Sequence, residues 1–183
     1  MNHRRTRRRI LPPVIAAAIG LAVGLAAIGA GPASAVTLDS KKTAKAVVAL
    51  AKKDYGAEVS GLVVTDPICP SKVKQQADLD FACTVRLNGN TLTYAIHQKD
   101  GKGNVRIDPV EAVIFVDKAV AAIRSELEKN NAGKKITVDC GPGTILIVAP
   151  AKSFDCKVKV ATKASVVRVI VKDNTGNVDF KAI

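Results

Sequence analysis

Apolar and polar positions alternate with two different periods along this chain, and the alternation repeats. After a short tail, Ala44, Val47, Val48, Ala51 and Tyr55 fall at helical spacing, which predicts a helix over 41–55 with Ser40 as its N-cap and Gly56 at its end. Lys41, Lys42, Lys45, Lys52 and Lys53 take up much of its other face. A strand is expected over 59–65, broken by Asp66-Pro67, and 70–80 forms a polar loop. The period then drops to two. Phe81, Cys83, Val85 and Leu87 point inward, with Thr84 and Arg86 outward. Asn88-Gly89-Asn90 is a hairpin turn, and Leu92, Tyr94 and Ile96 return on the inner face, with Thr93, Ala95 and His97 outside. A turn over 100–103 leads to a last strand through Val105 and Ile107.

Asp108-Pro109-Val110-Glu111 has the form of a capping box, so a second helix is expected from there to about Asn130, with Val113, Val116, Val120, Ile123 and Leu127 as its seam. Asn131 to Gly133 ends it. Ile136 and Val138 lead to Cys140, and Gly141-Pro142-Gly143 turns the chain. The apolar segment 144–149 is expected to be an extra strand or a contact with the first half. Phe154, Cys156, Val158 and Val160 then face inward, followed by a glycine-free hairpin over 161–165, by Val167, Val169 and Val171, by a turn at 173–176, and by Val178 and Phe180.

The two halves are copies. Phe81-x-Cys83-x-Val85 with Asp100-x-x-Gly103-Asn104-Val105 matches Phe154-x-Cys156-x-Val158 with Asp173-x-x-Gly176-Asn177-Val178, without a gap, at an offset of 73 (154 − 81 and 178 − 105). The expected fold is α+β: two tandem repeats, 36–108 and 109–183, each one helix packed on a four-stranded antiparallel sheet with one internal disulfide. With no flexible linker between them, the copies are expected to pack as one rigid body.

The segment 1–35 belongs to neither copy. Arg4, Arg5, Arg7, Arg8 and Arg9 precede an apolar run from Ile10 to Ala30, and Ala33-Ser34-Ala35 supplies a cleavage signature, so an export signal cut after Ala35 is expected. The general secretory route is favoured; Thr6-Arg7-Arg8-Arg9-Ile10-Leu11 also resembles the twin-arginine pattern, and an uncleaved membrane anchor is the other alternative. Four cysteines in an exported chain read as a disulfide framework. Of three possible pairings, the duplication selects Cys69 with Cys83 and Cys140 with Cys156, since only this treats both copies alike. Neither a C-x-x-C nor a cysteine/histidine cluster supports a zinc site, and no cofactor is expected.

The formal charge of +12 falls to +7 without residues 1–35, which hold five arginines and no acid. The excess sits late in the chain: 133–183 carry nine basic and four acidic residues. Lys157 and Lys159 share the outward face of one expected strand, and Arg168 and Lys172 that of its neighbour, a possible cationic binding face for anionic envelope polymer. A solvated, edge-guarding face is the plainer alternative.

Cys69-Pro70, Phe81-x-Cys83, the Asn88-Gly89 hairpin, Tyr94/Ile96 and Gly103-Asn104-Val105 together resemble the actinobacterial exported domain-of-unknown-function family number 4333. The resemblance covers nearly all of 41–107 and 112–181, and implies an exported or membrane-anchored envelope protein. It brings no established activity. The architecture is also similar to that of the secreted beta-lactamase inhibitory protein family, a tandem of disulfide-bearing helix-on-sheet units. Members bind an enzyme through many aromatics, whereas this chain has no Trp, two Tyr and four Phe, so hot-spot anchors of that kind are missing.

Little chemistry is expected. His97, the one histidine after residue 35, has no local carboxylate and reads as a solvent-facing sheet residue rather than a proton shuttle. Asp78 and Asp80 read as a solvated turn, and the Gly-x-Gly pairs at 101–103 and 141–143 lack the Lys-Ser/Thr of a phosphate loop. No nucleophile setting is present. The expectation is a non-enzymatic binding or structural module of the bacterial envelope, outside the cytoplasm, with an unknown protein or anionic polymer as partner. Membrane contact is expected only if the export segment is retained, and nucleic acid is a poor partner. The alternative is a secreted enzyme inhibitor, with a hydrolase behind both.

Overall fold

The computed structural model describes residues 36–183. Residues 1–35, expected from the sequence to be an export signal with Ala33 and Ala35 as its cleavage signature, lie outside the described residues.

Helix α1 (Ser40–Tyr55) opens the first half. Its N-cap is Asp39, not Ser40: the Asp39 carboxylate accepts from the Lys42 N–H at 3.0 Å, and a carboxylate also suits the positive end of the helix dipole. Gly56 closes the helix, its N–H donating to Lys52 O at 2.9 Å. Thr43, Val47 and Ala51 are buried, with Ala44, Val48 and Tyr55 half-buried beside them. Thr43 enters that stripe because its hydroxyl is satisfied by Asp39 O at 3.1 Å.

The strand expected over 59–65 is displaced. Residues 56–61 form turns, and β1 (Val64–Ile68) runs straight through Asp66-Pro67. A register shift between Thr65 and Ile68 absorbs the proline. That is tolerated because β1 is an edge strand, where a missing N–H leaves no neighbour unpaired. β2 (Asp80–Leu87), β3 (Asn90–Gln98) and β4 (Val105–Pro109) complete an antiparallel sheet in the order β1-β2-β3-β4.

The second half corrects the capping-box reading. Asp108-Pro109 ends β4, paired with Ala95 and Tyr94, and Glu111 accepts from the Thr93 N–H at 2.9 Å instead of capping a helix. Ala112–Phe115 is a strand, β5, and α2 (Val116–Lys129) starts only after it, with Phe115 at the N-cap and no side-chain cap bond. Val113 therefore leaves the predicted helical seam; Val116, Ala119 and Ile123 are buried there, with Val120 and Leu127 packed alongside. β6 (Ile136–Asp139), β7 (Ile145–Val148), β8 (Ser153–Val160), β9 (Lys163–Val171) and β10 (Val178–Ala182) follow. The second four-stranded sheet, ordered β10-β9-β8-β6, is also antiparallel and carries α2 as the first carries α1. The glycine-free hairpin is tighter than expected: Ala161 and Thr162 alone join β8 to β9, with Ala161 at φ 52°.

The duplication is visible bond by bond. β8, β9 and β10 repeat β2, β3 and β4 at an offset of 73 in both bounds. Asp78 N donates to Gln98 O as Ala151 N does to Val171 O, and Lys99 N to Asn104 O as Lys172 N to Asn177 O. Even the segment before each helix is equivalent. Thr37 bridges Lys74 in the first half, and in the second this single bridge has grown into the β5–β7 pair, where Val113 faces Ile147.

Segment 144–149 is thus both an extra strand and a contact with the first half. Being paired in the plane and covered on both faces, β5 and β7 alternate between two cores. Val113 and Ile145 complete the core of Val47, Val85, Leu92, Tyr94 and Ile96, while Ala112 and Ile114 join Ala119 and Val171 on the other side. Disulfides Cys69–Cys83 and Cys140–Cys156 staple one loop in each half, each contributing about 3 kcal/mol on chain-entropy grounds.

Candidate functional site

Pairing of β8 with β9 brings Lys157, Lys159 and Arg168 onto one sheet face, and Lys172 follows directly after β9. Their surroundings differ. Asp155 lies opposite Arg168 in the register, and Arg168 grips it with two bonds, Nε to Oδ1 at 2.8 Å and an Nη to Oδ2 at 3.0 Å. The pair holds the Asp155 carboxyl below its usual range and raises the guanidinium. Lys172 Nζ sits 2.9 Å from Asp179 Oδ1. Lys157 and Lys159 form no ion pair among the described residues. They line a shallow depression of about 470 Å³ with Thr137, Asp139, Ala164 and Val166, and Asp139 lies across the register from Lys157. In the first sheet the equivalent positions, Thr84 and Arg86, carry less charge, and Arg86 faces Asp66 at 3.9 Å.

His97 is not without a carboxylate. It lies directly across from Asp80, whose Oδ1 is 2.7 Å from Nδ1, and Asp78 Oδ1 lies 3.7 Å from Nε2. A strand start and its loop are thereby tied to the neighbouring strand, a contact that only the register creates. Among the described residues no group of three or more His, Cys, Asp or Glu side chains is placed to hold a metal.

Asp100 and Asp173 organise the two equivalent turns. Asp100 accepts from the N–H groups of Lys102 and Asn104 and from the Asn104 side chain at 2.6 Å; Asp173 accepts in the same way from Thr175 and Asn177. The Thr175 hydroxyl also donates to Asp173 at 2.6 Å; these donors favour the charged form and lower both carboxyls, Asp173, chiefly through the Thr175 hydroxyl and the Asn177 side chain, to about 2. Gly103 and Gly176 sit at φ 86° and 91° in these turns, where a side chain would be strained.

Each turn forms one wall of a cleft against the first turn of the helix. The first, of about 310 Å³, is lined by Leu38, Lys42, Thr43, Gly103 and Val105; the second, about 250 Å³, by Ile114, Lys118, Ala119, Gly176 and Val178. Lys118 is engaged elsewhere, pairing with Glu58 of the first half and lying 5.2 Å over the Phe115 ring. The second cleft therefore serves the junction between halves. Tyr55 meets Phe115 at the same junction, ring centroids 6.4 Å apart.

Two side chains with polar groups lie deep in the first half: Gln98, which pattern reading missed, and Tyr94, which it placed on the inner face. Gln98, fully buried, donates to Lys74 O at 2.8 Å and accepts from Gln76 N–H at 3.2 Å, pinning the loop over 70–79. Tyr94 is equally buried, and among the described residues its hydroxyl makes no hydrogen bond of normal geometry, although the Tyr55 phenol lies near enough to interact with it. Burial raises its pKa far above the ordinary phenol value, with the Tyr55 phenol and the Asp54 carboxylate adding to the shift.

No family model, curated protein or solved structure matches this chain.

Proposed function

We propose that the protein is a non-enzymatic binding module of the bacterial envelope, presenting Lys157 and Lys159 to an anionic polymer or an acidic protein surface. The observation that carries this is a pair of lysines on a sheet face that form no ion pair among the described residues, in the stretch with the largest basic excess after residue 35. Two disulfides fit an oxidising, extracytoplasmic setting, and the resemblance of the cysteine and hairpin motifs to exported envelope proteins points the same way. Among the described residues no helix is long and apolar enough to cross a membrane. The polar side chains that converge do so in self-satisfied pairs, Asp155 with Arg168 and Asp80 with His97, which serve as struts between strands.

The test is retention of residues 36–183 on purified anionic wall polymer at low and high salt, beside the K157Q/K159Q variant. Salt-sensitive retention that the variant loses supports the reading. Salt-resistant, stoichiometric capture of a single enzyme from envelope extract would instead make the protein an inhibitor.

A further inference from the structure

Helix α1 carries a second cationic surface, and nothing in the fold uses it. Lys41, Lys42, Lys45, Lys52 and Lys53 are all exposed, and among the described residues none of them forms an ion pair. The helix contains one acid, Asp54, in its last turn. Lys41 and Lys42 stand in the first turn, where the dipole disfavours positive charge and the Asp39 cap is the neighbouring acid. α2, by contrast, has Asp117 in its first turn.

At 3.6 residues per turn, Lys41, Lys45 and Lys52 fall within about 40° of one another, and all five lysines within about 120° of the circumference. The three span about 16 Å along the axis. The surface between them is small and apolar: Ala44, Val48, Ala49 and Pro67 line a shallow groove of about 550 Å³ with the three lysines at its rim. The lysine stems are long enough to carry their heads beyond these small side chains.

We propose that α1 lies against the anionic headgroups of a lipid bilayer, with Lys41, Lys45 and Lys52 at the centre of the contact and Lys42 and Lys53 on its flank. A plane fits the arrangement better than a thread. All five cations on a convex arc can reach an extended surface, whereas a linear polymer in the groove meets only the three at its rim. Where the apolar run from Ile10 to Ala30 is retained as an anchor, the alternative the sequence leaves open, α1 is also the first described helix or strand to follow it. This contact is separate from the Lys157/Lys159 face, and either can fail without the other.

The chain over 36–183 holds both disulfides and all three cores, so it can be tested without the apolar run, by co-sedimentation with phosphatidylcholine vesicles with and without phosphatidylglycerol. Binding is expected only to the phosphatidylglycerol vesicles, and is expected to vanish at high salt. K41Q/K45Q/K52Q should weaken it about 100-fold, the scale for three lysines at an anionic surface. The single variant K45Q should lose a smaller part of it, and K157Q/K159Q should bind as the parent does. Circular dichroism and non-reduced peptide mapping confirm the fold of each variant. The proposal is overturned if the parent chain ignores phosphatidylglycerol, if K157Q/K159Q loses as much as the α1 variant, or if soluble glycerol-phosphate polymer displaces the chain from vesicles at matched phosphate.

Discussion

Replacing Tyr94 by Phe should stabilise the protein, an unusual outcome for a fully buried aromatic. The ring stays among Val47, Val85, Leu92 and Val113, and only the hydroxyl goes. A buried polar group without a partner costs about 1–3 kcal/mol, and here the hydroxyl makes no hydrogen bond of normal geometry among the described residues. Removing one oxygen opens a void of roughly 10–15 Å³, worth about 0.3 kcal/mol at about 24 cal/mol per Å³. The net gain is therefore about 1 kcal/mol or somewhat more, or a rise in Tm of about 2–4 °C for a unit of this size. Urea unfolding followed by far-ultraviolet circular dichroism, disulfides intact, measures it; the chain has no Trp for fluorescence, and the m-value should not change. Alkaline pH gives an independent reading. The folded-state pKa of Tyr94 is raised, chiefly by burial, so its contribution is complete below the unfolded value of about 10 and is lost as pH rises beyond it, because the unfolded chain releases a proton the folded chain keeps. The Y94F protein should lose less stability there than the parent. A destabilisation above about 0.5 kcal/mol would refute the reasoning, since a hydroxyl so missed has a partner worth about a normal hydrogen bond. A double-mutant cycle with Tyr55→Phe would then identify the Tyr55 phenol as that partner.

Ile145→Ala removes a side chain that the second half places in the core of the first, and should cost about 2–5 kcal/mol, with calorimetry still showing one transition for both halves. Separate transitions would show that the shared core does not couple them. Gln98→Leu strips the loop of two anchors, so hydrogen exchange at the Gln76 amide should accelerate well beyond that of the β3 amides, at a stability cost of about 1–3 kcal/mol. Asp173, held at about 2, supports the fold above its unfolded pKa and loses that contribution as pH falls through its folded value. In Asp173→Asn the acid limb of the stability curve between about pH 4 and pH 2 should flatten, which pH-jump circular dichroism can follow. An unaltered limb would place the acid sensitivity elsewhere.

Local rules carried the sequence far where structure is local. The alternation of Phe81, Cys83, Val85 and Leu87 fixes which face is inside, and a duplicated cysteine spacing allows one symmetric pairing, so the strands and bridges follow from neighbours in the chain. Ala112–Phe115 shows where this stops. A run of four apolar residues fits a helix or a doubly covered strand equally, and its conformation was decided by Ile145–Val148, thirty-odd positions later, closing over it from the side. The same holds for the charges. Whether Arg168 and His97 are free or occupied depends on strand register, which sets Asp155 and Asp80 opposite them. The α1 lysines were plain in the sequence, but their lack of partners was not, because an ion pair is a property of two elements brought together. Composition therefore determined how much charge the chain carries; packing decided which of it is left for a partner.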